Sequence, residues 1–353
     1  MCTKDPELQS QLDHSRNIDK NIQAEAKKLS TDPSVKLLLL GTGESGKSTI
    51  LKQFKLIHGA GFSKIELSVV RDCALGNLVT SMISLIDAMT PLNIEFEDPD
   101  RAMVRISVLT PYYSPETDMS VDQIEAIECL WSDEGIQRCF KQSNKFQLLD
   151  SCEYLMSNIR RITAKNFVPT PDDALRVRIM TTTVTESVFE IKSVRIRIFD
   201  IGGQRSERRK WMAYFDDCQA MIFMSAVGSY DQVCSEDEET NRMVESLRVF
   251  EGICNNPLFE KTAIILFLNK IDVLTSKLTS IPVSDYFPDY KGPNEVRAVC
   301  EYFGSKFLAT NKAPSRKIYI HQTVATNTDQ VRKVIADVVR IVAKENLAKN
   351  NLL

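Results

Sequence analysis

The sequence predicts an α/β fold in which a doubly wound, mostly parallel six-stranded sheet is interrupted by an inserted all-helical domain. Apolar, strand-like segments occur at 35–40, 188–191, 194–198, 220–227, 262–268 and 317–322. The second and third alternate across a short polar turn, as in a β-hairpin, and helical stretches separate the later ones. From about residue 62 to about residue 175 apolar residues instead recur at helical spacing, which indicates the insertion.

The composition is that of a globular protein long enough for two domains. The chain has 353 residues, of which 43% are apolar and 26% are charged. Its net charge of −3, without a broad basic run, argues against nucleic acid as a partner. Nine scattered cysteines without a C-x-x-C pair are typical of reduced thiols in the cytosol. We expect no membrane-spanning segment or signal peptide, because the longest apolar runs are short.

The first predicted element is a helix that begins near Asp5 and ends near Leu29. A capping carboxylate followed by proline is a common helix start. The apolar stripe of this helix is narrow. It is consistent either with an arm that binds a partner or with a helix that lies along its own domain.

A phosphate-binding loop follows the first strand. The pattern Gly-x-x-x-x-Gly-Lys-Ser begins at Gly41. Glycine at that position and at Gly46 allows consecutive backbone amides to curl around an oxyanion. Lys47 is placed to reach the β and γ phosphates, and Ser48 offers a hydroxyl to a magnesium ion. Helical composition from Thr49 onward would direct a positive helix end at the phosphates.

Three further polar motifs follow later strands. In the motif that begins at Asp200, the carboxylate would support magnesium through a water molecule, Gly203 would approach the γ phosphate, and Gln204 would orient the attacking water. The segment 269–272 is the candidate for reading guanine, because a carboxylate accepts from both the ring N1–H and the exocyclic amino group. Segment 323–326 would complete the base pocket. Because parallel strands end at one edge of a sheet, these motifs predict a single crevice.

Together these residues closely resemble those of heterotrimeric G-protein α subunits over nearly the whole chain. Segments 173–178, 205–211 and 236–243 are similar to signatures of that family. The resemblance implies a Ras-like GTPase domain formed by 31–61 and 177–353. It also implies an inserted helical domain at 62–176 and an amino-terminal helix at 1–30.

The resemblance assigns roles to individual residues. Arg178 and Gln204 would be catalytic, with Arg178 acting in cis as an arginine finger that the return linker of the insertion delivers. Ser48, Thr181 and, through water, Asp200 would hold Mg²⁺. The nucleotide-binding residues would be Gly43, Glu44, Ser45, Gly46, Lys47, Ser48, Thr49, Asp150, Ser151, Leu175, Arg176, Gly203, Asn269, Lys270, Asp272, Ala325 and Thr326.

The resemblance also implies ligands and partners. GTP or GDP would be bound together with Mg²⁺. A βγ dimer would bind the amino-terminal arm and the second of two switches, which would lie around 178–183 and 202–211. A seven-helix receptor would meet the carboxyl tail, and effectors and an RGS-type regulator would meet the switches. The expected location is the cytoplasmic face of the plasma membrane.

The chain departs from the family pattern at several positions. Cys2 replaces the glycine that myristoylation requires, so only palmitoylation of Cys2 is inferred, and a βγ partner would have to help hold the membrane. Met180, Thr183 and Val324 replace a usual lysine, glycine and cysteine, none of them catalytic. Asn350 stands where some members carry the cysteine that pertussis toxin modifies.

Two other functions use the same phosphate loop. A small-molecule or nucleoside kinase would lack the motif at 269–272. A nucleotide-binding adaptor without turnover would not need both Arg178 and Gln204. The sequence therefore favours a GTP-hydrolysing switch over either alternative.

Overall fold

The computed structural model describes residues 34–109, 119–191, 194–260, 262–313 and 316–349, with side chains as far as residue 342. Six strands form one sheet: β1 (Val35–Gly41), β2 (Thr185–Ile191), β3 (Val194–Asp200), β4 (Ala220–Ala226), β5 (Ala263–Asn269) and β6 (Ile318–Thr323). Their order is β2-β3-β1-β4-β5-β6, and every neighbouring pair is parallel except β2 and β3. The predicted fold class is confirmed.

Helices cover both faces of the sheet and form a separate unit between β1 and β2. In chain order they are α1 (Lys47–His58), α2 (Lys64–Met89), α3 (Pro99–Leu109), α4 (Val121–Trp131), α5 (Glu134–Phe140), α6 (Cys152–Ser157), α7 (Ile159–Ile162), α8 (Pro171–Arg176), α9 (Arg242–Cys254), α10 (Ile271–Lys277), α11 (Val296–Ala309) and α12 (Thr328–Lys349). On one face α1 and α12 bury Phe54 and Ile335. On the other, α9 and α11 bury Phe250 and Phe307.

The register of the strands brings their carboxyl ends to one edge. Gly41, the last residue of β1, pairs with Met224 near the end of β4, and Asn269 pairs with Ala226 at the ends of β5 and β4. Pairing extends the strands slightly beyond the sequence prediction, so that Asp200 and Asn269 are the last residues of their strands rather than the first residues of the loops. This edge is where the predicted polar motifs meet.

The helical unit is built around α2. A capping box begins this helix, in which the Ser63 side chain accepts from the Glu66 amide and the Glu66 side chain accepts from the Ser63 amide. By length and composition alone α2 could span a membrane, although the short apolar runs of the sequence predict no membrane-spanning segment. Its apolar side is nevertheless packed in the core of the helical unit, as is usual for a central helix of this kind. The buried residues of α2 include Val70, Ala74, Leu75, Leu78, Met82, Leu85 and Met89.

Three predictions lie outside the described residues: the amino-terminal helix at 1–30, the hairpin turn at 192–193 and the carboxyl tail at 350–353. The limits of the two predicted domains stay predictions. The described helices α2 to α8 all lie within the segment 62–176 that was assigned to the insertion.

Asp173 fixes the return of the chain from the helical unit to the sheet. It lies in α8, which begins with the Thr170 cap and Pro171. The buried carboxylate accepts hydrogen bonds from Arg161 (2.7 and 2.8 Å), the Tyr154 hydroxyl (2.8 Å) and the Thr170 amide (2.7 Å). Burial raises the pKa of Asp173, but these hydrogen bonds outweigh burial and bring the pKa to about 2.

We expect Asp173→Asn to lower the free energy of unfolding at pH 7 by about 1 to 2 kcal/mol, because donors on Arg161 and Tyr154 lose a charged acceptor. The loss stays in this range because Arg161 is partly exposed and water screens its charge. The carboxylate has a lower pKa in the folded than in the unfolded protein. Its contribution is therefore complete above about pH 4 and is lost as the pH falls toward 2.

Urea unfolding followed by circular dichroism at pH 7 and pH 3 measures this contribution. The difference between wild type and Asp173→Asn should be smaller at pH 3. Asp172→Asn removes an exposed neighbouring carboxylate and serves as the matched control, with a smaller effect at pH 7. Equal effects of the two substitutions would contradict the role given to Asp173.

Candidate functional site

A cleft lies between the carboxyl edge of the sheet and the helical unit, and it consists of two adjoining pockets. Predicted site residues that border the first pocket are Gly43, Glu44, Ser45, Gly46, Lys47, Ser48, Thr49, Asp150, Ser151, Leu175, Arg176, Arg178, Thr181, Gly203, Gln204 and Lys270. Those that border the second include Asn269, Asp272, Ala325 and Thr326. Asp200 lies beneath the first pocket, and Cys2 is outside the described residues.

The phosphate loop has the backbone form that the glycines predict. Gly46 has a φ of +99°, and a Cβ built on it would lie 2.3 Å from Nδ2 of Asn269. That amide group donates instead to the carbonyl of Ser45 at 2.9 Å, which ties the loop to the end of β5. Lys47 is buried, and its ammonium group donates to the carbonyl oxygens of Gly41 (3.1 Å) and Thr42 (2.8 Å). Burial lowers the pKa of Lys47 to about 8, although Asp200 opposes the shift.

Three oxygen-bearing side chains meet beside Lys47. The Ser48 hydroxyl lies 2.7 Å from the Thr181 hydroxyl and donates to Oδ2 of Asp200 at 2.8 Å. Asp200 is buried, and its other oxygen, Oδ1, has no hydrogen-bond partner. Burial raises the pKa of Asp200. Two hydroxyls and one carboxylate are hard donors, so this set fits a magnesium ion that keeps waters and phosphate oxygens as its other ligands.

The loop after β3 passes so close to Lys47 that only glycine fits. A Cβ on Gly203 would lie 2.2 Å from Nζ of Lys47 and 2.4 Å from the Gly41 carbonyl oxygen. Arg208 Nε donates to the Gly203 carbonyl at 3.0 Å, and Trp211 Nε1 donates to the Gly202 carbonyl at 2.9 Å. These hydrogen bonds hold the loop so that Gln204 borders the first pocket.

Arg178 reaches the phosphate loop through Glu44. Nη1 of Arg178 lies 2.7 Å from one oxygen of the Glu44 carboxylate, and Nη1 of Arg242 lies 2.7 Å from the other. The second terminal nitrogen of Arg242 donates to Oε1 of Gln147 in the helical unit at 2.6 Å. Burial raises the pKa of Glu44, but Arg242 and Arg178 reverse the shift and lower it. Glu44 is therefore an ionised carboxylate held between two guanidinium groups.

The second pocket is organised by Asn269. Its Oδ1 accepts hydrogen bonds from the Thr323 hydroxyl and the Ala325 amide, both at 3.1 Å. Lys270, the next residue, has a φ of +63° and pairs with Asp150 of the helical unit. Such a left-handed backbone is strained for a side-chain-bearing residue and is common at functional sites. Asp272 lies in the first turn of α10 and borders the same pocket.

Some residues of the site were not predicted from the sequence. Lys52 donates from α1 to the carbonyl of Ala174 in α8 (2.7 Å) and to the carbonyl of Val177 on the return linker (3.1 Å). Gln147 and Arg242 form the chain of contacts to Glu44. Only Arg242 had a signal in the sequence, since it falls in a segment that resembles a family signature.

Comparison with known proteins agrees with the motifs. The family model of the G-protein alpha subunit matches residues 13–342. A "guanine nucleotide-binding protein subunit alpha" of Pyricularia oryzae is 43% identical over 337 residues, which cover 94% of this chain and 95% of that protein. The protein of the same name from Colletotrichum trifolii is 42% identical over 351 residues, or 98% and 97% of the two chains.

A third relative gives the same result. The guanine nucleotide-binding protein alpha-7 subunit of Caenorhabditis elegans is 41% identical over 318 residues, which cover 90% of each chain. The resemblance inferred from the motifs is thereby confirmed. The chain belongs to the G-protein alpha subunit family.

Proposed function

We propose that the chain is a guanine nucleotide-binding switch that hydrolyses GTP to GDP and phosphate in the presence of Mg²⁺. The observation that carries the proposal is the convergence of Lys47, Arg178 and Gln204 on one pocket. A buried ammonium group, a guanidinium and a side-chain amide are the groups that phosphoryl transfer to water requires. An adaptor without turnover has no need of the last two.

Each group has a distinct task in this reaction. Lys47 and the amides of the phosphate loop would bind the β and γ phosphates. Arg178 would turn from Glu44 toward the phosphates and neutralise charge that develops on the γ-phosphoryl oxygens, while Gln204 orients the attacking water. Ser48, Thr181 and, through water, Asp200 would hold Mg²⁺, which when bound neutralises phosphate charge.

The same geometry supports a switch. Gly203 lies against Lys47 and the phosphate loop, so the presence or loss of a γ phosphate would be felt by the loop that contains Gln204 and Arg208. Arg208 and Arg205 both contact Glu245 of α9, at 2.6 and 3.2 Å. Ordering of this loop by the γ phosphate would therefore create a surface to which partners bind.

We propose the partners and the location that the family resemblance implies. A βγ dimer would bind the amino-terminal arm and the second switch, and a seven-helix receptor would bind the carboxyl tail. Effectors and an RGS-type regulator would bind the switches. Palmitoylation of Cys2, together with βγ, would hold the protein at the cytoplasmic face of the plasma membrane.

The first prediction concerns the base. If Asp272 accepts hydrogen bonds from guanine, Asp272→Asn should weaken GTP binding about a hundredfold or more, because a polar group of the base is left without its partner. The same substitution should improve binding of xanthosine triphosphate, since an amide can donate to the carbonyl that xanthine presents. Competition of both nucleotides against a fluorescent GTP analogue measures the two changes in affinity. Unchanged GTP affinity would remove Asp272 from the base site.

The second prediction concerns catalysis. Arg178→Cys and Gln204→Leu should each slow single-turnover GTP hydrolysis without a comparable loss of nucleotide affinity. Arginine fingers in G-protein α subunits are worth on the order of 10³ or more in rate, a general value for this protein class. Arg209→Cys removes an exposed arginine from the loop of Gln204 and should hydrolyse GTP at the wild-type rate. Wild-type turnover in Arg178→Cys or Gln204→Leu would reject the assignment.

The third prediction concerns Thr183, which is exposed between Arg178 and β2. A regulator that packs closely on this switch in relatives with glycine would meet an added branched side chain. Overfilling such a contact should weaken binding of an RGS domain roughly ten- to a hundredfold, while intrinsic hydrolysis stays intact. Single-turnover hydrolysis of wild type and Thr183→Gly with increasing RGS domain tests this. Equal acceleration of both proteins would mean that the regulator has a recess for threonine or approaches from another angle.

A further inference from the structure

The main chain of Arg178 is held by one side chain of the helical unit. Arg178 lies between the end of α8 and the start of β2, in a segment that belongs to no helix or strand. Its amide donates to Oδ1 of Asn77 at 2.8 Å, and its carbonyl accepts from Nδ2 of Asn77 at 3.3 Å. Asn77 lies in the middle of α2, 101 residues earlier in the chain. A single amide side chain thus pairs with both polar groups of one backbone residue, as a neighbouring strand would do.

The side chain of Asn77 is well suited to this pair of hydrogen bonds. A carboxamide presents a donor and an acceptor side by side, whereas the isosteric carboxylate of aspartate has acceptors alone and the similar side chain of leucine has neither. Asparagine is also a poor residue for the interior of a helix, so helix propensity does not account for its place in α2. The geometry and the residue type therefore both indicate that Asn77 holds the main chain of Arg178. We call these two hydrogen bonds the clamp.

The neighbouring residues explain what the clamp controls. Val177 is buried in the core of the helical unit and Ile179 packs against the same core, while Arg178 points to the cleft and contacts Glu44. Lys52 fixes the linker one residue earlier by donating to the Val177 carbonyl. Asn77 acts on Arg178 itself. With its backbone fixed, Arg178 can exchange Glu44 for a phosphate by side-chain rotation alone.

We propose that Asn77 is a positioning residue for the Arg178 finger. This inference rests on the proposed function, because it assumes that Arg178 acts in GTP hydrolysis. The clamp holds the point from which the guanidinium rotates, and displacement of a reacting group by about 1 Å can cost on the order of a hundredfold in rate. Loss of both hydrogen bonds of the clamp, with the flanking residues still buried, should slow hydrolysis about tenfold.

The test compares Asn77→Leu and Asn77→Asp with wild type and with Thr80→Ala, a substitution at an exposed position of the same helix. Single-turnover GTP hydrolysis should fall about tenfold in Asn77→Leu, which loses both hydrogen bonds, fall less in Asn77→Asp, whose carboxylate can still accept from the Arg178 amide, and stay unchanged in Thr80→Ala. Affinity for a fluorescent GTP analogue and the midpoint of thermal unfolding should remain close to wild type. Placed in an Arg178→Cys protein, Asn77→Leu should change the hydrolysis rate by less than about twofold, because there is no finger left to position.

Several outcomes would overturn the proposal. An equal slowing by Asn77→Leu with and without Arg178 would show that the effect does not pass through the finger. Faster GDP release with unchanged hydrolysis would show that Asn77 holds the two units closed instead. If Arg178→Cys is slow and Asn77→Leu is not, only the clamp is rejected. If Arg178→Cys hydrolyses GTP at the wild-type rate, the assignment of Arg178 as the finger is rejected together with the clamp, and only a wild-type protein that does not hydrolyse GTP would refute the proposed function.

Discussion

A buried cation is the constraint on which the site depends. The ammonium group of Lys47 is surrounded by carbonyl oxygens of its own loop, and burial works against its charge. Asp200 supplies part of the compensating negative charge, and a polyphosphate would supply the rest. Gly203 keeps the approach to this cation free of a Cβ atom, and Gly46 leaves room for the Asn269 amide that ties the phosphate loop to β5. The phosphate loop and the loop after β3 are thus constrained together by the space around one nitrogen atom, and Asn269 joins the end of β5 to the same phosphate loop.

The sheet and the edge where the site forms follow from the sequence because their signals are local. Strands that are buried on both faces read as continuous apolar runs, as from Leu37 to Leu40, and the motifs follow these runs directly. Parallel pairing then brings the motifs to one edge, whatever the distance between them along the chain. Strands β3 and β5 end slightly later than the sequence predicts. Asp200 and Asn269 pair with residues of neighbouring strands, and the sequence does not reveal this pairing.

The contacts between the helical unit and the sheet could not be predicted from the residues alone. Asn77, Gln147 and Lys52 each act on a residue about 90 to 120 positions away, and none belongs to a motif with regular spacing. Their roles depend on how the insertion docks, which is decided by side-chain packing over its whole surface rather than by a local pattern. The apolar periodicity of α2 predicts its buried side, but it gives no reason for a carboxamide among those residues.

Glu44 connects the phosphate loop with the helical unit because its carboxylate has two arginine partners. Its carboxylate is shared by Arg178 and Arg242, and Arg242 is in turn bound to Gln147 of the helical unit. In the proposed reaction Arg178 would turn to a phosphate and Glu44 would keep Arg242, so that no charge would be left without a partner. If Glu44 contacted Arg178 alone, the carboxylate would either keep Arg178 from the phosphates or lose its only charged partner when Arg178 moved. Because the second arginine is attached to the helical unit, the proposed movement of Arg178 would leave that unit in place, which would keep water out of the cleft during the proposed reaction.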